Sequence, residues 1–149
     1  MWNIKLLNSL AMPAKDIYHD AVKQALIKDD WLIVAENYIL EYGGDKLYPD
    51  LAAEKPIAAE QQGRKIIVEV KSFLGRSFIN DLEGAVGQYI IYRNVLQAQK
   101  SEYELYLAVA NRVYNNGFQK KLAQLIVETN RVKLLTFDSE KEVIERWIN

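Results

Sequence analysis

The chain has 149 residues, 50% hydrophobic and 26% charged, which suits one globular domain with a real core and is too short for two. Its formal net charge of -1 lacks the strong basic bias that signals nucleic acid on its own. The absence of cysteine excludes disulfides and thiolate metal sites, and a single histidine, His19, excludes a His-rich zinc centre. Any metal is left to oxygen ligands, which favours magnesium or manganese.

The first eleven residues, MWNIKLLNSLA, carry one lysine and a short, broken apolar patch that is a weak match to a signal peptide. With Met12 as an alternative start, they read as an extension of the gene model or a mobile tail, or else as a short strand or dimer arm. No apolar run approaches the roughly 20 residues of a membrane span, so no membrane partner is expected. A chain without cysteine suits a reducing cytoplasm.

Pro13 is placed to open a helix, and Asp16–Lys28 repeats apolar residues at Ile17, Tyr18, Ala21, Val22, Ala25 and Leu26 with a helical period. Trp31–Tyr42 is β-branched and aromatic, a strand, and Gly43-Gly44-Asp45 turns it into a second strand, Lys46–Ala53. Pro56 and Gln61-Gln62-Gly63 punctuate a loop before a third strand, Arg64–Phe73, which ends near Gly75. Ser77–Lys100 is the longest helical stripe. Tyr103–Ala110 reads as a buried strand and Phe118–Glu128 as a helix, with Gly117 between them. Val132–Phe137 and Glu142–Ile148 read as closing strands joined at Asp138–Lys141, the last with a helical alternative. The order α-β-β-β-α-β-α-β(-β) predicts an α/β fold in which helices flank a central mixed β-sheet, as one domain over residues 12–149.

Chemistry concentrates in Pro49-Asp50, followed after eighteen residues (51 to 68) by Glu69-Val70-Lys71. Side chains alternate along a strand, so Glu69 and Lys71 share one face, opposite to Ile66, Val68 and Val70. With Asp50 on the preceding strand as an antiparallel neighbour, two acids can share one metal ion, the Val70 carbonyl can add a third oxygen, and Lys71 can orient a water or offset phosphate charge. An E-x-K on a strand equally suits an ion pair on a half-exposed surface. The apolar surroundings Ile66, Ile67, Val68 and Val70 weigh against free solvation, and a buried charge is costly without a partner or metal.

Gln88 and Tyr92 lie four residues apart on one helix face, where they can position a phosphate or a DNA strand, or simply form a polar flank. On the first helix, His19 leans toward the Val22/Leu26 stripe and Asp20 points about 100° away. Either can touch the metal's surroundings, although a packed histidine and a solvated acid are the plainer readings. A glycine-rich phosphate loop, G-x-S-x-G and a Cys/His pair are all missing, which leaves few other catalytic arrangements.

The pattern Pro49-Asp50 … Glu69-Val70-Lys71 resembles the PD-(D/E)xK nuclease core, and Gln88-x-x-x-Tyr92 resembles the Q-x-x-x-Y motif of its RecB-like members. More closely, MPAKDIYHDAVKQALIKDDW, YPDLAAEKPIAAE, VEVKSF, GQYIIYRNVL and VIERWIN look like the XisH-type proteins, the cyanobacterial fdxN element excision controlling factors. The resemblance runs from about Met12 to Asn149. It implies a restriction-endonuclease-like fold and a part in the developmentally controlled excision of a DNA element in heterocysts. The implied partners are DNA, a separate site-specific recombinase and a small XisI-type protein, with a homodimer as a reasonable arrangement. By the same resemblance, Asp50 and Glu69 would hold Mg²⁺ or Mn²⁺, Lys71 would be the catalytic lysine, and Gln88 and Tyr92 would support the site. The family's first-helix acid is usually glutamate, and here only His19 and Asp20 stand near that place.

Three readings follow: a metal-dependent DNA endonuclease, a non-catalytic accessory factor that binds DNA or the recombinase, and an interaction domain without an active site. The near-neutral charge sits awkwardly with the first. Basic residues do cluster locally, at Arg64, Lys65 and Arg76 and at Lys120, Lys121, Arg131 and Lys133.

Overall fold

The computed structural model describes residues 14–47 and 57–149. Residues 1–11, Asp50 and the greater part of the strand expected over Lys46–Ala53 lie outside the described residues.

Helix α1 (Ala14–Lys28) buries Ala21, Val22, Ala25 and Leu26 as one stripe. The segment expected as one strand over Trp31–Tyr42 divides into β1 (Leu32–Ala35) and β2 (Leu40–Tyr42), because the polar Glu36 and Asn37 carry the chain out of the sheet. Strand β2 pairs only with β3 (Asp45–Leu47), through a two-residue turn in which Gly43 and Gly44 both have positive φ, at 60° and 86°. That is the twist a tight hairpin needs.

A further strand, β4 (Ile57–Gln61), occupies what the sequence suggested was loop. It pairs antiparallel with β5 (Arg64–Val70) around Gln62 and Gly63, again both at positive φ. Its Ala58-Ala59 core has weak strand propensity, and small residues are what fit a strand buried on both faces. Strand β5 is shorter than expected and ends at Val70, although the Lys71 amide still donates to the Ala108 carbonyl at 3.1 Å.

Helix α2 (Phe78–Ala98) starts at Ser77, whose hydroxyl accepts from the Asn80 amide, and crosses to β6 (Tyr103–Ala110). A short helix not expected from the sequence, α3 (Asn111–Asn115), and a 3-10 turn (Gly117–Gln119) precede α4 (Lys121–Thr129). Strands β7 (Leu134–Asp138) and β8 (Val143–Ile148) close the chain, so the final segment is a strand. Asp138 caps the turn between them by accepting from the Glu140 and Lys141 amides.

The six-stranded sheet runs β1-β4-β5-β6-β7-β8, with β5, β6 and β7 parallel and the outer pairs antiparallel. The fold is therefore α/β with a mixed central sheet flanked by helices, as expected, and richer by two strands before α2. Register and alternation divide the sheet's faces. Ile66, Val68, Val70, Ala108, Ala110 and Phe137 share one face, and α1 covers it, with Tyr18 edge-on to Phe137 at 6.1 Å. Ile67, Glu69, Leu105 and Leu107 share the other, beneath α2. There Tyr89 donates its hydroxyl to the Leu105 carbonyl and accepts from the Lys133 amide. No helix among the described residues is long and apolar enough to cross a membrane.

Candidate functional site

Glu69 is the last but one residue of β5, and its side chain is 1% exposed. The strand forces this placement, because Ile67 and Val68 beside it are fully buried and alternation turns Glu69 inward beneath α2. Lys71 follows two residues later on the same side, with Nζ 3.6 Å from Glu69 Oε1 and a side chain 22% exposed. At that distance the two form an electrostatic contact rather than a hydrogen bond. Both carboxylate oxygens of Glu69 are thus buried without a hydrogen-bond donor among the described residues. Burial pushes the Glu69 carboxyl up to about 7, and Lys71 pulls it the other way.

A buried carboxylate whose oxygens lack hydrogen-bond donors costs about 1–3 kcal/mol or more, which the single contact with Lys71 offsets only in part. Ile67, Leu105, Leu107, Val109 and Leu134 share its face, with Thr136 as a further buried polar residue there. Such a carboxylate calls for an explanation in function.

Helix α2 brings the second motif to the same place. Gln88 donates from Nε2 to the Tyr92 hydroxyl at 2.8 Å, as their four-residue spacing suggests. Tyr92 is buried, and its hydroxyl is pushed up to about 12, first by burial and then by the Glu69 charge, with the Gln88 hydrogen bond pulling the other way. Glu69, Lys71, Gln88 and Tyr92 therefore come together. On α1, which covers the opposite face, His19 is half-buried and Asp20 is exposed.

Asp50 lies outside the described residues, and among the described residues no three carboxylate, histidine or cysteine side chains gather as a metal site. The strand beside β5 is β4, so the antiparallel neighbour expected to hold Asp50 begins instead at Ile57, opposite Val68. The unrecognised β4 had a legible signal: the two-residue Gln62-Gly63 turn between apolar runs.

The basic residues noted in the sequence separate to two ends. Arg64, Lys65 and Lys133 lie at the amino ends of the parallel strands, engaged by Glu104, Glu60 and Glu102, and Arg131 lines a cavity there beside Lys133 with no ion pair among the described residues. Arg76 and Lys120 lie toward the carboxyl end, with Arg112, which the sequence reading overlooked because the α3 turn that carries it was not expected. Ligands of open parallel sheets gather at the carboxyl ends.

The XisH protein family matches residues 12–145. The chain belongs to the XisH family. Two solved structures agree with this. An XisH family protein from Nostoc punctiforme PCC 73102 is 42% identical, with a TM-score of 0.82 over 89% of this chain and 99% of its own. An fdxN element excision controlling factor protein from Anabaena variabilis is 44% identical, with a TM-score of 0.82 over 90% of this chain and 99% of its own. No curated protein matches. In this XisH-family chain, Glu69, Lys71, Gln88 and Tyr92 are the residues whose geometry asks for a role.

Proposed function

We propose that this chain is an excision controlling factor for an fdxN-type DNA element, acting as a metal-dependent DNA endonuclease of the PD-(D/E)xK type with a restriction-endonuclease-like core. The observation that carries the reading is Glu69, buried with both oxygens lacking a hydrogen-bond donor among the described residues and facing Lys71. The donor set suits a hard divalent cation: the carboxylates of Asp50 and Glu69 and the carbonyl of Val70 would hold Mg²⁺ or Mn²⁺. Asp50 belongs to the segment that leads into Ile57, which pairs with Val68, one residue before Glu69. When bound, such an ion supplies positive charge to a phosphate and makes a water more acidic.

The chain's own groups do the rest. The Lys71 ammonium, 22% exposed, can reach a phosphate oxygen and offset charge that builds as water attacks phosphorus and one P–O bond breaks. Tyr92, held by Gln88, keeps the inner wall of the site closed to water beside Glu69. His19 and Asp20 are the first-helix candidates for a supporting contact. A homodimer would offer one site to each strand of a duplex.

The test is cleavage of supercoiled, linear duplex and single-stranded DNA with Mg²⁺ or Mn²⁺. Glu69→Ala and Lys71→Ala should each lower the rate at least about 100-fold while circular dichroism stays unchanged. Equal cutting by the wild type and both variants removes the site assignment.

The net charge of -1 favours a second reading, a non-catalytic factor that binds DNA, a recombinase or an XisI-type partner. Binding without hydrolysis in every divalent metal would select it.

A further inference from the structure

Beside the site, at the same end of the sheet, a cavity of about 560 Å³ is lined by Phe73, Leu74, Phe78, Arg112, Gly117 and Lys120 among others. Its two charged lining groups are both cations, and both are exposed. No ion pair holds either among the described residues. Lys120 instead lies over the Phe78 ring, 5.8 Å from its centre. Asp81, next to the cavity, is committed to the Gly75 amide at 2.9 Å.

The walls are rigidly built. Phe73, Phe78 and Phe118 pack ring against ring at 5.3 to 5.5 Å. A side chain on Gly75 would strike the Asp81 carboxylate, and one on Gly117 would strike the Phe78 ring. Phe73 itself sits at a φ of 54°, a left-handed conformation unusual for so bulky a residue. The loop that leaves Lys71 is therefore pinned, and it presents Leu74, 49% exposed, and Arg76 at its tip.

A fixed aromatic and aliphatic floor with unpaired cations at its rim fits a polyanion whose repeating unit also has an apolar face. We infer that this cavity is where the chain holds DNA flanking the reacting phosphate, with Arg112 and Lys120 on backbone phosphates and Leu74 and Phe73 against sugar or base. This rests on the nuclease reading for its choice of polyanion. It also bears on the charge problem, since a protein of net charge -1 can still present local cations to DNA where, as at Arg112 and Lys120, they form no ion pair among the described residues.

The experiment is fluorescence anisotropy of a fluorescein-labelled random-sequence DNA duplex across a salt series in EDTA, with cleavage in Mn²⁺ measured in parallel. Arg112→Gln with Lys120→Gln should weaken binding about tenfold or more and flatten the salt slope by roughly two contacts' worth. Arg64→Gln with Lys133→Gln, the same charge change at the opposite end, should leave both nearly as they were. Equal losses from the two pairs, no loss from either, or no binding by the wild type overturns the inference. Cleavage that depends on Lys71, with binding indifferent to Arg112 and Lys120, removes this surface and spares the nuclease reading. Binding through Arg112 and Lys120 with no cleavage in any metal does the reverse.

Discussion

At the amino ends of β5 and β6, charged and polar groups answer one another. Arg64 reaches Glu104 and the Tyr106 hydroxyl, Lys133 reaches Glu104, Lys65 reaches Glu60 and Glu102, and Tyr106 also meets Asn149 at 2.7 Å. Five residues along the same strand from Arg64 the balance differs: among the described residues Glu69 is buried with neither oxygen hydrogen-bonded, and Arg112 and Lys120 form no ion pair. The same residue types thus answer one another at one end and leave binding capacity at the other. Folding alone would not select the second arrangement, because a buried carboxylate without hydrogen-bond donors lowers stability.

The largest expected effect breaks the comparison at its sharper end. Lys71→Ala should remove at least about 100-fold of any Mn²⁺-dependent cleavage, whereas Arg64→Ala, changing a cation at the satisfied end, should leave the rate within about twofold. Comparable losses would mean that the two ends do not differ in the way proposed.

Next is the pH dependence of stability. Glu69 has a folded value of about 7, raised from the ordinary carboxylate range by burial. The folded protein then holds a proton that the unfolded chain releases, so this group favours the fold most below about 4.5 and the advantage is lost as pH rises through 7. Glu69→Gln should remove that loss and stabilise the protein above pH 7 by roughly 3 kcal/mol, with little difference from the wild type in acid. Urea melts at several pH values would show it. A wild type with no relative loss between these pH values would argue that the carboxylate is satisfied after all. Mn²⁺ should stabilise the wild type at pH 8 and not the Gln variant.

Much of this end was legible beforehand. Alternation alone put Glu69 and Lys71 on one face, and the four-residue spacing put Gln88 beside Tyr92. What escaped the sequence were elements whose signal is weak by nature. The Ala58-Ala59 strand has little β-propensity and is held by neighbours on both sides, and α3 is too short to show a period. Missing α3 meant missing Arg112, and so missing how the basic residues divide between the ends. Charge pairing over forty residues, as between Arg64 and Glu104, has no local signature at all.

A smaller effect belongs to the satisfied end. Tyr106→Phe removes the hydroxyl shared by Arg64, Glu104 and Asn149 while keeping the ring packed edge-on to Trp147 at 5.0 Å. It should cost about 1 kcal/mol of stability and leave cleavage and DNA binding alone. At the other end, Tyr92→Phe should change activity more than stability, because the Tyr92 hydroxyl meets only the Gln88 amide among the described hydrogen bonds.

The smallest effect tests how far the ion pairs themselves matter. Arg64 and Glu104 meet at 3.3 Å with side chains 49% and 44% exposed, so water screens them and each must give up side-chain freedom to hold the contact. A double-mutant cycle with Arg64→Gln and Glu104→Gln should give a coupling of about 0.5 kcal/mol or less, falling further in high salt. That low value is what the comparison requires. These pairs add little to the stability of the fold; they partly offset the charges of Arg64, Lys65 and Lys133, whereas Arg112 and Lys120 at the other end form no ion pair among the described residues. A coupling of several kcal/mol would make the amino end a structural clamp, and the contrast in charge between the ends would then be a by-product of folding.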